Sequence, residues 1–260
     1  MNETTTTRAT HRPGINAWAR MTWTEGKLVA RDTAGLIIPL GLPLLIMIMH
    51  GLGSDGAGVE EFGGLPPMDA YVVPLVLVMV TAIVGMVNMP SFLATYRKTG
   101  VLRRLSVTPA HPIMVLVAQV LVSLAQTLVG VALAVVVAGF AFDVSAPNHL
   151  AGAIGVFFLV CAAMYAVGML VAAISPTTNA ALAIGLVLFF GNLALGGGFG
   201  PRENLPDGLA TIGEYLPFGA GVDALSATWI GEAPDALHLG VLAGITVLAG
   251  AAATRFFRWQ

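Results

Sequence analysis

Long apolar stretches alternate with short polar ones along this chain. The apolar stretches run over Ala34–Leu52, about Ala70–Ala94, about Ile113–Phe140, Leu150–Ile174, Ala180–Leu195 and Leu237–Ala253. Each is near or above the roughly 20 residues with which a helix crosses a hydrocarbon core. A spanning segment has no water to satisfy its backbone, and a helix satisfies it internally. The pattern therefore predicts an all-α integral membrane protein with six transmembrane helices. Pro39 and Pro43 lie inside the first span and predict a bend. Prolines are tolerated at that depth where neighbouring groups take up the freed carbonyls.

Ahead of the first span the period turns amphipathic. Over Ile15–Arg31, Arg20, Thr24, Lys27 and Arg31 fall on one face, and Ile15, Trp18, Thr22 and Val29 on the other. This predicts an N-terminal amphipathic helix in the interface, with Trp18 and Trp23 at headgroup level. Glu25 and Asp32 fall nearer the apolar side and interrupt the pattern, so a plain juxtamembrane tail is the alternative. Residues 1–33 then form a tail and amphipathic helix, and residues 34–260 the membrane domain. Between the fifth and sixth spans, Gly196–Pro206 breaks regular structure, and Leu209–Leu216 and Val222–Ile230 are too short to span. They read either as outer re-entrant helices or as a folded outer loop. Irregular backbone at membrane depth requires protein cover.

Composition agrees with this class. Hydrophobic residues make up 57% and charged residues 10%, with a mean hydropathy of +0.85, against roughly 25% charged in soluble domains. Charge position then orients the chain. Arg8, Arg12, Arg20, Lys27, Arg31, Arg97, Lys98, Arg103, Arg104, Arg255 and Arg258 fall on one side of a six-span topology, leaving only Arg202 on the other. Most of the acidic residues, from Asp55 to Asp235, lie with Arg202. The positive-inside rule makes the basic side cytoplasmic, with both termini inside. Cys161 is the sole cysteine and lies in an apolar run, which leaves no disulfide framework.

The densest basic island is Tyr96–Pro112, between the second and third spans. Val101, Leu102 and Leu105 make a narrow apolar stripe among Arg97, Lys98, Arg103 and Arg104, and Pro109 ends the segment. A short surface helix and an ordinary basic cytoplasmic loop both fit these residues. The pattern Arg97-x-x-Gly100-x-Leu102-x-Arg104-Leu105-x-x-Thr108-Pro109 resembles the corresponding loop of type 2 ABC exporter permeases, above all the daunorubicin-resistance-like branch. Lys98 departs from that branch, where an acidic residue commonly follows the Arg.

The resemblance implies a cytoplasmic coupling helix over about 97–109. Arg97, Gly100, Val101, Leu102, Arg103, Arg104, Leu105 and Pro109 would dock there on an ABC ATPase subunit present in two copies. It implies a second permease, as homodimer or paralogue, with the route at their interface. It also implies an outer lid over about 196–234 that includes Pro201, Pro206, Tyr215, Pro217, Phe218 and Gly219. ATP and Mg would bind the partner ATPase, and this chain would bind no cofactor, metal or nucleic acid.

The residues restrict the chemistry independently. No phosphate loop is present: the only Gly-Lys pair is Gly26-Lys27, and Met21 stands where the motif needs its first Gly. His-Glu-x-x-His and Gly-x-Ser-x-Gly are absent as well. The spans hold few ionisable groups, which disfavours an intramembrane carboxylate relay. Asn88, Gln119, Ser123, Gln126 and Thr127 are polar at membrane depth, and each suits either a substrate route or a bond between helices. The expectation is the non-hydrolytic permease subunit of an ATP-driven exporter in the plasma membrane, moving a hydrophobic drug, lipid or related amphiphile. A secondary transporter or channel-like protein without an ATPase is the alternative. An enzyme using His50 or His149 on the outer face is a weaker third reading.

Overall fold

A computed structural model describes residues 14–53, 56–98, 113–200 and 202–256. Among these residues the chain is helical and without strands, and six helices are long and apolar enough to cross a membrane. Helix α1 (Ile15–Arg31) precedes the spans. The spans are α2 (Thr33–Leu52), α3 (Met68–Lys98), α4 (Ile113–Phe142), α5 (Leu150–Ile174), α6 (Thr178–Leu195) and, after two short helices, α9 (Ala236–Phe256). The short helices are α7 (Asp207–Glu214) and α8 (Pro217–Ile230), each offset from the predicted pieces because Pro206 and Pro217 set their starts.

The second span is longer at both ends than its apolar run. At 31 residues it extends roughly 46 Å, more than a hydrocarbon core of about 30 Å, so its last turn, carrying Arg97 and Lys98, projects beyond the core. Helix α3 is also the axis of the bundle, enclosed along nearly its whole length by α2, α4, α5, α6 and α8. Two π-helical turns, Met68–Val72 and Ile83–Asn88, widen it. The second turn carries Gly85 past α5 and brings Met86 against α6.

Lipid tails are as apolar as leucine, so packing density rather than water exclusion holds such helices together. Glycines at the crossings let backbones meet. A Cβ on Gly168 of α5 would lie 1.9 Å from the Gly85 carbonyl oxygen, and one on Gly185 of α6 would lie 2.3 Å from the Met86 carbonyl oxygen. Not every small-residue surface is used. The Gly240-x-x-x-Gly244 pair of α9 and Gly155 of α5 face open space. Helix α9 instead packs along α5 through Leu242, Ala249 and Ala253, a seam one helical face away from the glycines.

These crossings discriminate between glycines of similar sequence context. Gly168→Ala is expected to destabilise the bundle by about 1–3 kcal/mol through overpacking, visible as a lower thermal midpoint in detergent. Gly155→Ala and Gly244→Ala should leave the midpoint unchanged. Equal effects at all three positions would contradict the packing described.

Candidate transport site

Pro39 creates the central polar feature of the bundle. Lacking an N–H, it cannot bond the Gly35 carbonyl one turn below, which leaves an acceptor bare at membrane depth. Two side chains from other helices supply donors. Asn88 Nδ2 of α3 and Gln126 Nε2 of α4 each donate to Gly35 O at 2.6 Å. Asp32 completes the turn by capping α2, its carboxylate accepting from Gly35 N at 3.0 Å. Of the five residues polar at membrane depth, Asn88 and Gln126 are thus joined at one carbonyl. Gln119 and Ser123 are buried within α4, and Gln119 Oε1 has no hydrogen-bond partner among the described residues.

Beside this junction, α2, α3 and α6 enclose a cleft of about 400 Å³. One end is polar, with Asp32, Asn88, Ser91, Thr95 and Thr178. It lies next to the basic termini of α1 and α3. The Ser91 and Thr95 hydroxyls donate to carbonyls one turn back, at 2.7 and 2.9 Å, and Thr95 Oγ1 meets Thr178 Oγ1 at 3.4 Å. They line the cleft without leaving an orphaned hydrogen. The other end is apolar, with Leu42, Ile83, Leu186, Phe189 and Phe190.

Of the residues considered for ATPase coupling, Gly100, Val101, Leu102, Arg103, Arg104, Leu105 and Pro109 lie outside the described residues. The stem that leads to them is well anchored. Arg97 reaches the C-terminus of α5, donating to the carbonyls of Ala172, Ala173 and Ser175, the last at 2.7 Å. A helix end leaves such carbonyls unpaired and partly negative, and a cation suits both conditions. One residue earlier, the Tyr96 hydroxyl donates to the buried Glu25 carboxylate of α1. Glu25 and Tyr96 were not among the residues singled out for function. The signal was present as an acid on the apolar side of an amphipathic helix.

The opposite end of the bundle carries a polar cap. The Arg202 guanidinium donates to both Asp223 carboxylate oxygens at 2.5 Å. His238 Nε2 of α9 stands 3.5 Å from Asp223 and 3.6 Å from Glu214, without hydrogen-bond geometry. The Tyr71 hydroxyl donates to Gly197 O at 2.8 Å, and Asn192 Oδ1 accepts from Phe218 N at 3.4 Å. Pro217, Phe218 and Gly219 are buried, whereas Pro206 and Tyr215 are exposed and Pro201 is outside the described residues. Helix α8 is packed against α3, α5 and α9. A Cβ on Gly219 would lie 2.1 Å from Gly213 O and 3.1 Å from Arg202 Nη1, so glycine there admits both groups. Among the described residues no cluster of His, Cys, Asp and Glu could hold a metal ion.

Six helices long and apolar enough to cross a membrane mark a multi-pass membrane protein. A family model described as ABC-2 family transporter protein matches residues 58–255, and the chain belongs to that family. It is thereby the membrane component of an ABC transporter, a class whose membrane chains generally pair with ATPase subunits. No curated protein matches the chain.

Two outcomes follow from this geometry. Asn88→Ala and Gln126→Ala should each cost about 0.6 kcal/mol, because the other donor still serves Gly35 O. Together they should cost more than their sum, because the carbonyl is then left unsatisfied. Pro39→Ala restores the missing N–H and should remove that excess. An additive double mutant, measured by thermal unfolding, would show that the shared carbonyl does not couple the helices.

The second outcome concerns Glu25. Burial holds its carboxyl above the usual carboxylate range, and the Tyr96 bond offsets this only in part. The folded protein therefore holds this proton more tightly than the unfolded chain does. The stability this contributes is complete below the ordinary carboxylate range and is lost as pH rises through the raised value. The thermal midpoint should fall across that window, and Glu25→Gln should flatten the slope. An unchanged slope in the variant would assign the dependence to another group.

Proposed function

We propose that this chain is the permease subunit of an ATP-driven exporter of the drug-resistance type, moving a hydrophobic drug, lipid or related amphiphile outward. The observation that carries the reading is the cleft between α2, α3 and α6. Its hydroxyl and amide end suits a polar head, and its Phe-rich end suits an apolar body. The basic side of the chain is cytoplasmic in this reading, so the polar end opens inward. Substrate enters from the cytoplasm or inner leaflet, and a second permease completes the route.

Work is supplied by two copies of a separate ATPase, which bind ATP and Mg; this chain hydrolyses nothing. The segment from Arg97 to Pro109 couples the two, with Val101, Leu102 and Leu105 entering an apolar site on the ATPase and Arg103 and Arg104 pairing with acids at its rim. Movement there is transmitted through the Tyr96 and Arg97 stem to α1 and α5, because both bonds join the segment's base to those helices. At the outer side, α7 and α8 act as a re-entrant lid, which the Arg202–Asp223 pair and the buried Phe218 hold closed.

The test is co-expression with a candidate ABC ATPase chain, purification of the complex and ATPase assay against a panel of lipids and drugs. Leu102→Asp with Leu105→Asp should abolish co-purification at unchanged membrane insertion. Leu186→Trp should spare the complex and its basal hydrolysis but lower substrate stimulation about tenfold, the equivalent of about 1.4 kcal/mol of lost binding. Failure of the wild-type chain to recover an ATPase would sink the proposal.

A further inference from the structure

A larger recess lies outside the proposed route. Helices α1, α2 and α4 enclose a groove of about 640 Å³ lined by Trp18, Trp23, Leu36, Leu40, Ala125 and Val129. It is wide enough for a small ligand. At its mouth Trp23 is largely exposed, and Lys27 Nζ stands 5.2 Å from the centroid of the Trp23 ring. Arg20 and Arg31 continue the same outer face of α1. A second apolar recess of about 610 Å³ sits at the other end of the bundle, among Val73, Leu128, Phe158 and Trp229. It matches the groove in size and polarity but, among the described residues, lacks a cation at its aromatic residues.

That difference selects the occupant. A lipid tail gains little by leaving other tails for an apolar wall, because the two are equally apolar. Any preference must therefore come from the headgroup. Tryptophans sit at headgroup level, and basic residues beside a membrane surface attract anionic lipid. We infer that the groove holds one anionic phospholipid, with its phosphate at Lys27 and an acyl chain lying between α2 and α4 against Leu40, Ala125 and Val129. The lipid fills the space between α1 and the bundle on one side of that helix, while the Glu25 bond to Tyr96 holds the other. Its position ties the setting of α1 to the charge of the surrounding membrane. The inference needs neither the ATPase partner nor the sidedness of the chain.

The experiment uses the full chain in nanodiscs of phosphatidylcholine containing a minor share of phosphatidylglycerol, followed by native mass spectrometry of the lipids retained on the released protein. The wild type should retain phosphatidylglycerol about fivefold above its bulk share, the worth of one Lys at an anionic surface. Lys27→Gln and Ala125→Trp should each return retention to the bulk share. Gly139→Trp, which fills the opposite recess, should leave the enrichment intact. All three residues are exposed, so thermal midpoints should stay unchanged and show that each variant is folded. No enrichment in the wild type overturns the inference. Loss with Lys27→Gln but not with Ala125→Trp overturns the seated lipid in favour of diffuse surface attraction. Loss with Ala125→Trp alone overturns the headgroup's role, and loss with Gly139→Trp overturns the location.

Discussion

A single backbone acceptor, the Gly35 carbonyl, sets the arrangement of the first three spans. Proline at position 39 removes its intrahelical donor, and the bilayer offers no water as replacement. Asn88 and Gln126 both approach and donate to it, at 2.6 Å each. That pairing fixes the rotation of α3 and the height of α4 relative to α2. The cleft exists beside the junction because the same π-helical turn that presents Asn88 also widens α3 there.

Close packing completes what the junction begins. Gly85 and Gly168 bring α3 and α5 into backbone contact, and Gly185 does the same for α6 against Met86. With α3 enclosed on all sides, movement of its end is felt by every helix it touches. Tyr96 and Arg97 occupy that end, one bonded to α1 and the other to the carbonyl terminus of α5. The end of α3 is therefore held by two helices.

The polar cap at the opposite end of the bundle depends on a different force. Arg202 and Asp223 are both about one-fifth exposed at the side chain, 23% and 19%, so their pairing is only weakly screened by water. Through Nη2, which donates to both Asp223 oxygens, one arginine holds the short turn at Arg202–Asn204 against α8. His238 brings α9 to the same carboxylate. Helix α8 is too short to span, yet most of its Pro217–Trp229 length is buried against α3, α5 and α9.

Reading the residues in order determines the class of this protein. Six apolar runs, the amphipathic stretch before them, the segregated basic residues and the proline-broken outer region follow from hydrophobicity, length and charge, all of which are local properties. The need for partners at the proline-freed carbonyls is also legible from Pro39, and a bond between helices is one of the two uses open to Asn88 and Gln126. Which carbonyl they share, and that both share the same one, is not legible, because hydrogen bonds between residues 35, 88 and 126 depend on helix rotation. The same reason hid Tyr96 with Glu25 and Arg202 with Asp223, pairs distant in sequence whose members look like an interfacial aromatic and surface charges. It also explains why the Gly240-x-x-x-Gly244 spacing, which permits close helix approach, meets no neighbour among the described residues. A small-residue spacing marks where a neighbour can approach, and only the tertiary packing decides whether one does.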